Sequence, residues 1–469
     1  RMSFGRSKGY PALHVLDTTD PTSIGRVEQA VRMDRTLFIV ASKSGTTLEV
    51  QSLYRYFREK VKSAAGPKFG KHFIGITDPG TPLEKLARKE AFRRTFLNPS
   101  DIGGRYSALS FFGLVPAALI GVDPDRLLKT VDPIISELIA MPGEVEETAI
   151  PLGIALGELA LAGIDKATFF LSPALKGFGL WTEQLLAEST GKEGKAVVPV
   201  DGEPPASEKH YAQDRFFILI ETADEAGGEL SRALDGLEKA GHPTARITLR
   251  DPLELGGEFL RWEIATAVCG IVLGVNPFDE PNVTESKENT RKVLKNVAET
   301  GRLPNRTPNL SDGTIQFFEE GGRNYEGSLE KALWSFLEEA GPPDYVALMA
   351  YLDATEEHNR IFQRIRIGIR NARKTATTLG YGPRFLHSTG QLHKGGPATG
   401  VFIQITSEEP RELAIPEASY GFGVLKQAQA RGDLGSLTGR GLRAVNLHLG
   451  QNALEDLKRI ADMIDRILV

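Results

Sequence analysis

Thr36-Leu37-Phe38-Ile39-Val40-Ala41 runs directly into Ser42-Lys43-Ser44-Gly45-Thr46-Thr47, and residues 48–60 follow with helical spacing. An apolar run, a polar turn and an amphipathic stretch make one strand–turn–helix unit. The unit recurs. His72-Phe73-Ile74-Gly75-Ile76-Thr77 reads as a strand closed by Asp78-Pro79-Gly80, and residues 167–172, 216–221, 244–249 and 401–406 read as further buried strands. Upstream, residues 12–17 are a short apolar run ending in an Asp-Thr-Thr-Asp-Pro turn, and residues 27–33 read as a helix. Strands separated by helices pair in parallel, so the fold class is α/β. Such sheets bind ligands beyond the carboxyl ends of their strands.

Between these strands lies a mostly helical stretch, residues 107–162. Leu454, Leu457, Ile460, Ile464, Ile467 and Leu468 recur at three- and four-residue steps, which predicts a terminal amphipathic helix. Residues 304–327 read as a long surface excursion. At 469 residues the chain is long enough for two or three domains. The net charge is −5 with dispersed basic residues, which does not favour nucleic acid as a partner. The lone Cys269 sits in an apolar run and reads as a buried thiol, and that run is shorter than the roughly 20 residues a membrane span needs. Without a hydrophobic leader at Arg1-Met2-Ser3-Phe4-Gly5, a cytoplasmic location is expected.

Four stretches carry chemistry. Ser42, Ser44, Thr46 and Thr47 place four hydroxyls where a strand enters a helix, a setting that favours phosphate; an ordinary Ser/Thr helix cap is the alternative. Lys43 adds a cation, and the lack of Gly-x-x-x-x-Gly-Lys points to a phosphate monoester rather than a nucleotide. In Ile102-Gly103-Gly104-Arg105-Tyr106-Ser107 the glycines permit close approach, and Arg105 either binds an anion or pairs with an acidic neighbour. Gln184 and Glu188 share one face of a helix that ends in Ala187-Glu188-Ser189-Thr190-Gly191-Lys192, where partial burial would raise the carboxyl's pKa. His387, in Leu386-His387-Ser388-Thr389-Gly390-Gln391, brings an imidazole, the side-chain type suited to moving protons at sugar oxygens; His393 lies six residues on, a poor spacing for a helical metal pair.

Together these stretches resemble the glucose-6-phosphate isomerase family: the Ser/Thr loop of its sugar isomerase (SIS) domains, Gly-Gly-Arg-Tyr-Ser, Glu-Ser-x-Gly-Lys and the His-Ser-x-x-Gln pattern on His387 and Gln391. The resemblance implies two SIS domains and no cofactor. It implies that Glu188 shuttles a proton between C1 and C2, that Gln184 and Gly104 contact substrate, and that Arg105 stabilises a cis-enediol. Ser42, Ser44 and Thr47, aided by Lys43 and Thr46, would hold the phosphate. Lys426, in a string matching Gly-Val-x-Lys, would assist ring opening beside His387. Family members place this histidine in the neighbouring subunit's site, so a homodimer with shared active sites is expected. The alternatives are a dual phosphoglucose/phosphomannose isomerase and a non-catalytic phosphosugar sensor.

Two departures stand out. The family's Gly-Gly-Ser loop is not found, and the chain opens at Arg1 near where that loop would end. Residues 184–195 and 382–396 are most similar to the isomerase half of transaldolase–isomerase fusions, which implies a transaldolase domain upstream. The second departure is Glu280, which stands where Asn-Pro-Phe-Asp-Gln-Pro has Gln; this stretch reads as a structural turn. The expected organisation is a first SIS domain over 1–125 lacking its first strand, a helical connection over 126–163, a second SIS domain over 164–408, and a C-terminal helical segment over 409–469.

Overall fold

A computed structural model of the chain describes residues 3–140 and 148–468. Its first sheet is parallel and three-stranded, ordered β1 (Phe38–Ala41), β2 (Phe73–Thr77) and β3 (Arg94–Leu97). Helix α1 (Pro21–Ala30) precedes it. The Asp-Thr-Thr-Asp-Pro string is the start of that helix rather than a free turn: Asp20 accepts from the Ser23 amide, and Pro21 occupies the first turn. The apolar run 12–17 forms no regular element. Helix α2 (Leu48–Ala65) leaves the hydroxyl-rich turn and packs on the sheet through Tyr54, Phe57 and Val61.

A second parallel sheet, ordered β5-β4-β6-β7, contains β4 (Lys166–Leu171), β5 (Val198–Val200), β6 (Arg215–Thr222) and β7 (Thr244–Leu249). Helix α3 (Lys176–Thr190) follows β4, and α4 (Leu255–Leu273) follows β7. Phe169, Phe178, Leu185, Leu186, Trp262 and Cys269 share their core. Each such fully buried large side chain stabilises the fold by about 1.5–3 kcal/mol. Burial also pushes the Cys269 thiol up to about 12, consistent with a structural role.

The third sheet corrects the expected organisation. It is ordered β11-β10-β12-β13-β9-β8 from β8 (Leu310–Asp312), β9 (Ile315–Phe318), β10 (Tyr345–Ala350), β11 (Ala376–Tyr381), β12 (Gly400–Ser407) and β13 (Arg443–Leu449). Strands β10 to β13 are parallel; β9 lies antiparallel to β13, and β8 to β9. The stretch 304–327 is therefore not simply a surface excursion, because it supplies an edge hairpin whose Ile315 and Phe317 are buried in the core. Residues 409–469 are not only helical either, since β13 runs through the sheet interior. The strands of 164–408 fall into two sheets. Within 126–163 the helices Asp132–Ile139 and Ala149–Leu161 are present, and residues 141–147 lie outside the described residues. Helix α5 (Val283–Thr300) packs against α6 (Phe422–Thr438), and α7 (Ala453–Ile467) buries Leu457, Ile460 and Ile464 as its spacing predicts.

Candidate active site

Residues 185–187 are wholly buried, which holds the last turn of α3 in the protein and leaves Glu188 in a mostly dry position. The helix ends at Gly191, where any side chain would strike Leu392: a Cβ there would stand 2.4 Å from the Leu392 Cα. That close approach brings in the helix Thr389–Gly395. Gln391 fixes the contact, donating to the Gly191 carbonyl (2.9 Å) and to Asn282 Oδ1 (2.7 Å) while accepting from the Asn282 amide (2.8 Å). Three motifs distant in sequence are thereby docked through one buried amide.

Arg105 faces Glu188. Its Nη1 lies 3.5 Å from Glu188 Oε1 and 3.1 Å from Glu280 Oε2. Its Nε donates to Ser189 Oγ (2.8 Å), and its Nη2 to the carbonyls of Pro277 (2.7 Å) and Asp279 (2.8 Å). The guanidinium is 3% exposed and held on every side, a fixed cation rather than a mobile one. The turn 276–281 is thus more than a distant structural feature, because Glu280 shares Arg105 with Glu188. Burial raises the Glu188 pKa, Arg105 opposes the rise, and Glu280 adds to it; the carboxyl stands above its ordinary value. Gly104 borders open space, with nothing within 4 Å of where a Cβ would be.

Gln184 connects the acid to the histidine. Its Nε2 lies 3.3 Å from Glu188 Oε2 and donates to the His387 carbonyl over 2.8 Å. The His387 ring in turn meets Glu49, with Nε2 3.3 Å from Oε1. Burial pushes the Glu49 carboxyl up, but hydrogen bonding and charge from His387 outweigh it and the pKa is lowered. Glu49 sits in the first turn of α2, two residues beyond the hydroxyl loop. The phosphate candidate and the acid–base candidates therefore border one another.

In that loop Ser42 and Thr47 pair their hydroxyls at 2.9 Å, and Ser44 and Thr46 at 2.8 Å. Thr47 occupies the N-cap position of α2 without making a side-chain cap bond, so the simple capping alternative does not describe it. Lys43 departs from expectation: its ammonium is engaged by Asp78 (2.5 Å) and the Ser100 carbonyl (2.8 Å) and is not a free cation.

One further expectation needs correction. Lys426 does not present its ammonium to a substrate beside His387; it is 1% exposed and clamped between Asp20 (2.6 Å) and Glu409 (2.5 Å). A doubly paired, buried ammonium is a structural ion pair. Within its own chain His387 reaches Glu49 through its ring and Gln184 through its backbone carbonyl. His393 packs among Tyr345, Phe385 and Phe402, and burial pushes its pKa well down, as for a structural histidine. Sequence reasoning missed Glu49 and Lys287. Lys287, exposed on α5, contributes positive charge at Glu49. Glu49 had one signal, a carboxylate directly after the hydroxyl loop; Lys287 had only its place seven residues beyond Glu280.

A family model described as phosphoglucose isomerase matches residues 4–202. Over 329 residues the chain is 30% identical to a glucose-6-phosphate isomerase of Rubrobacter xylanophilus, covering 74% of that protein and 60% of this chain. The chain belongs to the glucose-6-phosphate isomerase family. A glucose-6-phosphate isomerase of Clostridium tetani is 28% identical over 328 residues, with 61% of this chain and 72% of that protein covered. Among solved structures, a hypothetical protein of Thermus thermophilus superposes with a TM-score of 0.54 at 27% identity, covering 60% of this chain and 76% of that one. A glucose-6-phosphate isomerase of Chlamydia trachomatis shares the fold, with a TM-score of 0.51 at 20% identity over 60% of this chain and 63% of that one. Membership of the isomerase family matches the α/β architecture and the clustering of Glu188, Arg105, Gln184 and His387.

Proposed function

We propose that the chain interconverts glucose 6-phosphate and fructose 6-phosphate. The observation that carries this reading is the convergence of a buried carboxylate, Glu188, with a fixed guanidinium and a carboxylate-supported histidine segment in one network of contacts, beside a hydroxyl-rich helix start. The loop 42–47 holds the phosphate by its hydroxyls and the start of α2. His387, backed by Glu49, gives a proton to the ring oxygen as the O1 hydroxyl loses one, which opens the ring.

Glu188 then removes the proton from C2. The C2 electron pair forms the double bond of a cis-enediol as O1 is protonated, and the Arg105 guanidinium offsets the negative charge that develops. Returning the proton to C1 while O2 is deprotonated gives the ketose. Proton transfer by a positioned side chain is worth roughly 10²–10⁴-fold, and positioning supplies much of the remainder. The raised pKa of Glu188 suits a group that must both take and return a proton.

The test is a coupled assay of fructose 6-phosphate formation from glucose 6-phosphate, with mannose 6-phosphate run in parallel. Isomerisation of the glucose epimer supports the reading; binding of the sugar phosphate without turnover contradicts it. The similarity of residues 184–195 and 382–396 to transaldolase–isomerase fusions supports an upstream transaldolase unit, which the mass of the native polypeptide tests. Among the described residues no helix is long and apolar enough to cross a membrane, and a cytoplasmic place is proposed from the substrate class.

A further inference from the structure

Glu49 is held from behind as well as by His387. Gln429, on α6, donates from Nε2 to Glu49 Oε1 over 2.6 Å. The hydroxyl of Thr19 donates to Gln429 Oε1 over 2.9 Å. Gln429 is 3% exposed and Thr19 fully buried. A carboxylate only accepts, so the amide must turn its NH₂ towards Glu49, and the threonine hydroxyl satisfies the carbonyl this leaves facing the other way. The amide has a single orientation that pairs every atom. The carboxylate oxygen it holds is the one that faces the His387 ring.

We propose that Gln429, with its orientation set by Thr19, is a positioning residue that fixes Glu49 against His387 in the ring-opening half of the reaction. The inference rests on the isomerase reading above. One turn away on α6, Lys426 clamps Asp20, the residue next to Thr19, so two adjacent contacts tie the entry of α1 to this helix. The Gly-Val-x-Lys stretch thereby acquires a role: its helix supports the histidine from behind, and its lysine anchors that support. Glu49 is faced by His387 from the 384–387 turn, by Lys287 from α5 and by Gln429 from α6. Of these, only Gln429 is an uncharged, buried donor. Its removal leaves the carboxylate partly unpaired and free to leave the ring.

The experiment compares Gln429→Leu and Thr19→Val with the wild-type chain. Steady-state kinetics of glucose 6-phosphate isomerisation and the NMR titration of the His387 ring are both read. The expected result for Gln429→Leu is a kcat loss of about tenfold or more with KM little changed, because misplacing a catalytic group by about 1 Å can cost roughly 10²-fold. Thr19→Val should lose less, in the same direction, and both variants should displace the His387 titration. An active wild type whose kcat and His387 titration survive both substitutions overturns the proposal. So does a loss that merely tracks the folded fraction. If Gln429→Leu does not fold, an unchanged Thr19→Val overturns it alone. An inactive wild type contradicts the isomerase reading, and the His387 titration still decides the role of Gln429.

Discussion

The side-chain amide of Gln184 donates to the backbone carbonyl of His387 over 2.8 Å, joining residues 203 positions apart in one chain. The same nitrogen faces Glu188 at 3.3 Å. Within one chain, the acid thus lies beside the backbone of the histidine segment. If that proximity serves one site in cis, mixing Glu188→Gln with His387→Ala chains should restore no activity. If sites were shared between subunits, mixed dimers would regain some intact sites, and recovery of activity on mixing would refute assembly in cis.

Glu280 shares one nitrogen of Arg105 with Glu188. Glu188 must be ionised to accept the C2 proton, so kcat/KM should rise with pH through its pKa. Burial and the Glu280 charge both hold that pKa up. Glu280→Gln removes one of these causes, and the acid limb of the kcat/KM profile should move to lower pH. A limb that stays in place or moves upward would show that Glu280 does not act on Glu188.

Lys426→Met should act on stability. It leaves Asp20 buried and Glu409 half-buried without their cation, a change that costs up to about 3–5 kcal/mol. Burial alone would raise the Asp20 pKa, but Lys426 and Ser23 bring it below 3.8. Its stabilisation is therefore full above that value and is lost as pH falls through the lower folded-state value. Urea unfolding at neutral pH should show the loss, smaller in strong acid. Unchanged stability with abolished turnover would return Lys426 to the chemistry.

Much of the fold was legible because buried parallel strands are continuous apolar runs: 244–249 coincides with β7, and 72–77 differs from β2 by one residue. Strand β13, Arg443-Ala444-Val445-Asn446-Leu447-His448-Leu449, escaped notice because Arg443, Asn446 and His448 interrupt the run. In the structure these polar groups find partners: Arg443 pairs with Asp344, Asn446 donates to Thr406, and His448 bonds Thr406. Glu188, Arg105 and His387 were found through local strings of residues. Glu49 and Gln429 were not, because their significance lies in contacts across 338 and 380 positions that no local spacing encodes. Lys426 was misread for the same reason, since the pairing with Asp20 spans 406 positions and no local spacing encodes it.

Glu263, on α4, offers a further stability test. Burial alone pushes its carboxyl up to about 8, and its Oε1 has no hydrogen-bond partner. Its folded-state pKa is above the unfolded value of 4.5, so stability is highest below 4.5 and falls as pH rises towards 8. Glu263→Gln should therefore stabilise the protein by an amount that grows across this window to on the order of 3 kcal/mol. Thermal unfolding at pH 4 to 9 checks it, and a difference independent of pH would contradict the assignment.

The most direct test follows the proton itself. Fructose 6-phosphate is isomerised in deuterium oxide by the wild-type chain and by Glu188→Gln, and deuterium at C1 and C2 is read by NMR. The wild type should incorporate solvent deuterium during turnover, whereas Glu188→Gln should lose both isomerisation and exchange by roughly 10²-fold or more while still binding the sugar phosphate. Exchange that continues in Glu188→Gln near the wild-type rate would place the base elsewhere and contradict the account.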